Sequence, residues 1–349
     1  MKEGYRLLGD FIQPVDERNR DLKVDYLLGV SISKQFIPSI ANIVGTDLSS
    51  YKIVRTGQFA YGPVTSRNGE KISIALLQDK DCIISSSYTV FEVTDNERLD
   101  PEYLMLWFSR PEFDRYTRYM SHGSVREIFD WDELCKVELP VPSIEKQRGI
   151  VKAYNTITDR IELKRKTNDN LEAVLAASHS KMFFSMDTSE HSKLGELMTF
   201  GNGKSRPKTD GPIPVYGGNG VLSYTDHHNI ENAVLIGRVG AYCGSVYLEQ
   251  GICWVSDNAI FAKSKITKDE FFDYFLLKRL NLFNHHVGTG QQLLTQEILN
   301  NIEVPKPVTE QIELFNRKAA SVFETLFTNS REIIRLQELS DLLLSRLAG

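Results

Sequence analysis

The sequence contains two similar halves, and this internal repeat restricts the possible folds more than any other feature. The segment VELPVP (residues 137–142) is matched by IEVPKP (residues 302–307), and the first prolines, Pro140 and Pro305, are 165 residues apart. LGD (residues 8–10) is matched by LGE (residues 194–196), and SSYTVF (residues 86–91) by SDNAIF (residues 256–261). Gly123 and Gly288 each lie 17 residues before the first proline of their half. The repeat therefore predicts two domains of similar fold.

A long helix is predicted after each proline pair. Proline has no amide proton and disfavours helix in the residue before it, so a helix begins only after the second proline. Ser143 and Glu145, and in the second copy Thr309 and Glu310, are suited to a helix start. Apolar residues then recur at alternating spacings of four and three, as in a coiled-coil seam. The seam positions are Ile150, Tyr154, Ile157, Ile161, Lys164, Asn168, Leu171, Leu175, Ser178 and Met182 in the first helix, and Phe315, Ala319, Val322, Leu326, Asn329, Ile333, Leu336, Ser340, Leu343 and Leu347 in the second.

The order of these segments predicts an α+β architecture of two similar globular domains, joined by two long antiparallel coiled-coil helices with a pseudo-two-fold axis. We assign residues 1–142 to the first domain, 143–187 to the central helix, 188–307 to the second domain and 308–349 to the C-terminal helix. Roughly 35–40 helical residues would separate the domains by about 50–60 Å, more than the roughly 34 Å of one DNA turn. The alternative is two amphipathic helices, each packed on its own domain.

Composition favours a soluble globular protein, since 41% of the residues are hydrophobic and 25% are charged. The net charge of -5 argues against a uniformly basic surface but permits a basic groove on one face. The four cysteines form no CxxC pair, which favours a reducing, cytoplasmic setting without a zinc site. We expect no signal peptide and no membrane-spanning segment.

Each predicted domain combines β-rich segments with a helical stretch, at residues 101–120 in the first and 268–283 in the second. Glycine-rich polar loops separate the strands and carry side chains that can hydrogen-bond to base edges. Any one of these loops could be an ordinary polar turn, but they recur in both halves. The candidate DNA-binding residues are Tyr61, Thr65, Ser66, Arg67, Asn68, Ser124 and Arg126 in the first domain, and Lys204, Ser205, Arg206, Tyr216, Asn219, Arg238, Tyr242, Thr289, Gln291 and Gln292 in the second.

No motif in the chain predicts catalysis. An adenine methyltransferase needs an Asn/Asp-Pro-Pro-Tyr/Phe motif and a glycine-rich cofactor loop, and neither occurs. Gly203-Lys204-Ser205 resembles the end of a phosphate loop, but the leading glycine would fall at Met198. The adjacent histidine pairs at 227–228 and 285–286 fit surface residues better than metal ligands, because neighbours on an extended chain point to opposite faces. We therefore expect no catalytic residue and no metal.

The chain resembles the specificity (S) subunit of type I restriction-modification systems. The resemblance spans almost the whole chain and is carried by PIPVYGGNG (residues 212–220), IGRVG (236–240) and WVSDNA (254–259), together with the proline pairs and the EKQ and EQ that follow them at 145–147 and 310–311. The first domain departs from the YGGNG pattern, with Tyr61-Gly62-Pro63 at a comparable place.

The resemblance implies that each domain recognises half of a split DNA sequence while the helix pair measures the spacer. It implies partners: two methyltransferase (M) subunits and restriction (R) subunits, which would use S-adenosylmethionine, ATP and Mg for adenine N6 methylation and restriction. The chain itself would bind no cofactor. We expect the exposed faces of the helices to bind the methyltransferase subunits. A repeated-domain scaffold that binds protein or glycan, and the recognition half of a related split restriction enzyme, are the alternatives.

Overall fold

The computed structural model describes residues 4–39, 45–66, 68–123, 126–184, 190–288 and 290–348. The chain divides into two compact units. Unit 1 consists of Met1–Leu163 and Ile333–Gly349, and unit 2 consists of Lys164–Glu332. Each unit therefore includes one part of each long helix.

Unit 1 is built around a four-stranded antiparallel sheet with the strand order β2-β9-β6-β7, and three two-stranded pairs, β1-β10, β3-β4 and β5-β8, surround it. Its strands are β1 (Tyr5–Leu7), β2 (Ile12–Val15), β3 (Leu28–Val30), β4 (Phe36–Pro38), β5 (Lys52–Val54), β6 (Phe59–Tyr61), β7 (Ile74–Leu76), β8 (Cys82–Ile84), β9 (Thr89–Val93) and β10 (Glu138–Pro140). Its helices are α1 (Pro101–Phe108), α2 (Pro111–Met120), α3 (Trp131–Cys135) and the first part of α4 (Ile144–Phe184).

Aromatic rings fill the core of unit 1. Phe59 and Phe91 stack with their ring centroids 4.8 Å apart, and Phe108 of α1 meets both rings edge-on. The predicted helix at 101–120 is two helices, because Pro111 cannot donate the backbone hydrogen bond that would continue α1. The side chain of Asp100 accepts hydrogen bonds from two amides of the first turn and so caps α1.

Unit 2 contains a larger, six-stranded sheet with the order β12-β17-β15-β16-β13-β14, in which only the pair β13-β16 is parallel. Its strands are β11 (His191–Lys193), β12 (Met198–Asn202), β13 (Ile213–Gly217), β14 (Gly220–Thr225), β15 (Ile230–Gly237), β16 (Val246–Val255), β17 (Ala259–Ser264) and β18 (Glu303–Pro305). Its helices are α5 (Leu194–Leu197), α6 (Phe271–Arg279), α7 (Gln296–Asn301), the second part of α4 and the first part of α8 (Thr309–Ser345).

The repeated LG motif has the same packing role in both units. β1 pairs with β10 in unit 1, and β11 pairs with β18 in unit 2. A β-carbon at Gly9 would lie 2.9 Å from Cβ of Cys135, and one at Gly195 would lie 2.6 Å from Oδ1 of Asn300. Cys135 and Asn300 are themselves 165 residues apart. Gly9 therefore permits the close approach of α3, and Gly195 leaves room for the Asn300 side chain of α7.

The predicted seams of α4 and α8 are confirmed, since all twenty seam positions are buried or half-buried. In unit 1, Val151 near the start of α4 shares a core with Leu344 and Leu347 near the end of α8. In unit 2, Leu175 in the second part of α4 shares a core with Phe315 near the start of α8. In unit 2, Nζ of Lys164, earlier in α4, also donates to Oδ1 of Asn329, later in α8, at 2.9 Å, so the two helices are antiparallel there. The structure is of the predicted α+β class.

A buried amide on each long helix connects that helix to the globular part of its unit. In unit 1, Gln147 of α4 is fully buried; it accepts a hydrogen bond from the Asp100 amide at 2.8 Å and donates to the carbonyls of Arg98 and Pro142. In unit 2, Asn316 of α8 accepts from the Phe272 amide at 2.8 Å. Both side chains have partners on their oxygen and nitrogen atoms, so their burial is compensated.

Across the described residues, none of the helices combines the length and the apolar character needed to cross a membrane.

Candidate nucleic-acid interface

The two loops selected from the sequence of the first domain lie side by side in unit 1. The amide of Thr65 donates to the carbonyl of Glu127 at 3.0 Å, and the amide of Phe129 donates to the carbonyl of Pro63 at 2.9 Å. Val64 and Ile128 form an isolated antiparallel bridge. Segments some sixty residues apart in sequence therefore form one surface.

One loop of this surface occurs in both units at equivalent positions. We call the described residues 122–123 and 126–128 tip loop 1, and the described residues 287–288 and 290–293 tip loop 2. In tip loop 1, His122 and Ile128 exchange backbone hydrogen bonds of 3.1 and 2.9 Å. In tip loop 2, Val287 and Leu293 exchange two of 2.9 Å. Both pairs of residues are related by the 165-residue offset, so the repeat includes the predicted interface.

The glycine at the start of each tip loop is required by the backbone. Gly123 has φ +139° and Gly288 has φ +92°, which are conformations that other residues rarely adopt. A β-carbon would lie 2.1 Å from the carbonyl oxygen of Arg126 in tip loop 1, and 2.4 Å from that of Gln291 in tip loop 2. In the sequence, these two glycines stood out only by their equal distance from the first proline of each half. The structure explains their position, because each closes a tight loop that leaves no room for a β-carbon.

Tip loop 2 lies beside the IGRVG segment in unit 2. The amide of Gly240 donates to the carbonyl of Gln292 at 3.0 Å, and the amide of Leu294 donates to the carbonyl of Arg238 at 2.9 Å. The hydroxyl of Ser245 donates to the carbonyl of Gly218 and ties the YGGNG turn to the same region.

The polar loop at residues 203–206 joins this region through the strand ends. The amide of Lys204 donates to the carbonyl of Val255, and the amide of Ser256 donates to the carbonyl of Tyr216, both at 2.9 Å. The indole nitrogen of Trp254 donates to the carbonyl of Lys204 at 3.4 Å. The three polar loops predicted in the second domain and the IGRVG segment are therefore neighbours. The contributions of Trp254 and Ser245 were missed, because both act through backbone carbonyls that no residue pattern reveals.

Most of the candidate side chains are accessible. Those with exposed side chains are Ser66, Arg126, Lys204, Ser205, Arg206, Asn219, Tyr242 and Gln291, and those that are half-buried are Asn68, Tyr216, Arg238 and Gln292. Arg67, Ser124 and Thr289 lie outside the described residues. Whether any of these side chains contacts DNA stays a prediction.

The structure corrects the prediction for two residues of unit 1. Tyr61 is fully buried on β6, where its ring meets Phe91 edge-on, and burial raises the pKa of its hydroxyl. Thr65 is 2% exposed, and its hydroxyl donates to Oγ of Ser121 at 2.9 Å. Neither side chain reaches the surface, so neither is suited to contact a base. Both side chains pack in the interior below the loops.

Two half-buried candidates in unit 2 are oriented by neighbouring groups. The Tyr216 hydroxyl donates to Oε2 of Glu249 at 2.9 Å, and burial raises its pKa, with the nearby carboxylate adding to the effect. Nη1 of Arg238 donates to the carbonyl of Asp257 at 3.3 Å. Within the described residues, the buried Nε of Arg238 has no partner. These hydrogen bonds orient the Tyr216 ring and the Arg238 guanidinium without a bound ligand.

The described residues contain no group of three or more histidine, cysteine, aspartate or glutamate side chains that could hold a metal ion. His227 lies 3.6 Å from the carboxylate of Asp226, and Nδ1 of His286 lies 2.5 Å from the carbonyl of Phe283. Cys82, Cys243 and Cys253 are buried, Cys135 is half-buried, and all four are free thiols.

Comparison with known families gives two matches within the chain. The type I restriction modification DNA specificity domain matches residues 39–173 and again residues 186–342. Each match covers most of one half of the repeat and includes one tip loop.

The individual relatives share little sequence identity with this chain, but all of them are type I specificity subunits. The chain is 21% identical to the type I restriction enzyme MjaIX specificity subunit of Methanocaldococcus jannaschii over 296 residues, which is 70% of this chain and 68% of that protein. It is 25% identical to the HindI specificity subunit of Haemophilus influenzae over 154 residues, 42% of this chain and 32% of that protein. A solved type I restriction-modification S subunit from M. genitalium has a TM-score of 0.66 at 17% identity, covering 99% of this chain and 96% of that one, and so shows a similar fold.

Proposed function

Because this chain belongs to the type I restriction-modification DNA specificity family, we propose that it recognises a bipartite DNA sequence, with one half-site for each unit. The family match occurs twice, once in each half of the repeat, and this doubling is the observation that carries the proposal. The matched domains recognise DNA sequence and are not themselves catalytic. The equivalent tip loops and the accessible polar side chains around them supply the hydrogen-bonding groups that recognition needs.

The proposal extends to partners that perform the chemistry. We propose association with two methyltransferase subunits, which would methylate adenine at N6 with S-adenosylmethionine, and with restriction subunits that use ATP and Mg. The chain would bind none of these cofactors. A scaffold that binds protein or glycan is not favoured, because the doubled match is to a DNA specificity domain.

Methylome sequencing tests the function. The host is expected to contain a two-part motif with methylated adenine that disappears when this gene is deleted. Exchange of residues 1–142 for the first domain of another family member should change one half-site and leave the other. Exchange of residues 188–307 is the matched control and should change only the other half-site. A host methylome that is the same with and without the gene contradicts the proposal.

The docking surface for the methyltransferase subunits is proposed on the long helices. In unit 1, Leu339 and Leu342 of α8 are 47% and 46% exposed, and they line an apolar cavity of about 230 Å³ beside Ile150 of α4. Leu163 of α4 is 65% exposed. Apolar side chains of this size on a helix surface are suited to contact a partner.

Replacing Leu339 and Leu342 together with aspartate is expected to reduce co-purification of the methyltransferase subunit at least about tenfold, because a partner that covers the exposed half of each leucine gains about 0.7–1.5 kcal/mol from each. The exposed Gln337→Ala and Glu338→Ala pair on the same turns is the control. The thermal unfolding midpoint of each variant shows that it is folded. Undiminished co-purification of a folded aspartate variant would remove this surface from the proposal.

A further inference from the structure

Most positions of the tip loops carry different side chains in the two units, and among the described residues one of these positions is polar and exposed in both. Arg126 in tip loop 1 and Gln291 in tip loop 2 are 165 residues apart, the offset that also relates His122 to Val287 and Ile128 to Leu293. The two residues therefore occupy the same place in the loop. We call this place the tip position.

The side chain at the tip position is available for a ligand in both units. Arg126 and Gln291 are exposed. Among the described residues, neither side chain forms a hydrogen bond or an ion pair. The residue after the tip position is less accessible. Glu127 is half-buried and forms an ion pair with Arg118, and its carbonyl accepts a hydrogen bond from the Thr65 amide. Gln292 is also half-buried, and its carbonyl is held by Gly240. The tip position faces outward, while the following residue anchors the loop.

The backbone that carries the tip position is closely constrained. The flanking residues exchange two hydrogen bonds, and the initial glycine packs against the carbonyl of the tip residue itself. A side chain on such a backbone loses little backbone entropy when it binds, which raises its affinity for a base that it fits.

We propose that the tip position determines one base in each half-site, with Arg126 selecting guanine and Gln291 selecting adenine. The guanidinium fork of arginine matches O6 and N7 of guanine, and the amide of glutamine matches N6 and N7 of adenine. This inference rests on the proposed function. It adds which residue of each tip loop selects the base.

Reciprocal exchange tests the inference. The full-length chain, with its methyltransferase partners, selects from a duplex library randomised around each half-site, and the bound DNA is sequenced. Arg126→Gln is expected to reduce a guanine preference at one position of one half-site by about 10- to 100-fold, in the direction of adenine. Gln291→Arg is expected to do the reverse in the other half-site.

Two further variants separate base recognition from charge. Arg126→Lys keeps the positive charge but loses the fork, so guanine preference should fall while total binding is largely kept. Arg115→Gln removes an exposed arginine of α2 and should leave the motif unchanged. If folded Arg126→Gln and Gln291→Arg variants retain the wild-type motif, or lose affinity for all sequences equally, the inference is wrong. A wild-type complex without any sequence preference would instead contradict the proposed function.

Discussion

Replacing Lys34 with methionine is expected to destabilise unit 1 by about 3–5 kcal/mol, because the carboxylate of Asp114 then stays buried without its positive partner. The ammonium of Lys34 lies 2.7 Å from Oδ1 of Asp114, and the two side chains are only 8% and 10% exposed. The same ammonium donates to the carbonyl of Phe108 at 2.6 Å, and Oδ1 also accepts from the amide of Ile72. Burial lowers the pKa of Lys34, and the ion pair with Asp114 opposes this decrease.

The double variant Lys34→Met with Asp114→Asn is expected to recover most of the loss, since no buried charge remains and the acceptor for the Ile72 amide is kept. Lys80→Met is the matched control, because Lys80 is exposed and its ammonium lies 4.1 Å from the centroid of the Tyr26 ring. Its loss should stay below about 1 kcal/mol. Urea unfolding of the full chain measures the free energy of unfolding of the three variants. A single Lys34→Met variant as stable as wild type would show that the pair contributes nothing.

The long helices were predictable because their information is local. A seam of apolar residues at spacings of four and three is present in the sequence itself, and proline pairs mark where the helices begin. Strand order is not local in this way. The four-stranded sheet of unit 1 and the six-stranded sheet of unit 2 come from pairings between distant segments, such as Val215 with Trp254, and residue type does not specify them.

The candidate interface was predictable as a set of loops but not residue by residue. Glycines and polar residues identified the loops, yet Tyr61 and Thr65 belong to the interior. Tyr61 is the last residue of strand β6, and Thr65 is buried where its hydroxyl contacts Ser121 and the carbonyl of Glu127. Gln147 shows the opposite case: it was noted only as part of a helix-start motif, and the structure makes it a fully buried connection. Which face a residue occupies depends on tertiary contacts that the sequence does not display.

Asp273→Asn is expected to remove a pH dependence of stability from unit 2. Asp273 is 3% exposed on α6, and burial raises the pKa of its carboxyl to about 7, with the Glu270 carboxylate nearby acting in the same direction and a hydrogen bond with Ser264 opposing it. Within the described part of the chain, its Oδ2 has no hydrogen-bond partner. The folded state therefore favours the protonated acid, while the unfolded chain ionises near its ordinary pKa of about 3.9.

The sign of the effect follows from this difference. Below about pH 4, Asp273 is protonated in both the folded and the unfolded state, so its ionisation does not change the free energy of unfolding. As the pH rises toward about 7, the carboxyl ionises only in the unfolded state, and the free energy of unfolding falls. Above about pH 7 this decrease levels off at roughly 4 kcal/mol. Asparagine cannot ionise, so the stability of Asp273→Asn relative to wild type should rise by about 3 kcal/mol between about pH 4.5 and 8. Asp269→Asn, which removes an exposed carboxylate just before α6, is the control and should give a far smaller change. Denaturant unfolding across this pH range measures the free energy of unfolding of each variant. If the wild-type and Asp273→Asn values change with pH in parallel, Asp273 is ionised in the folded protein, and a counter-charge or solvent reaches its Oδ2.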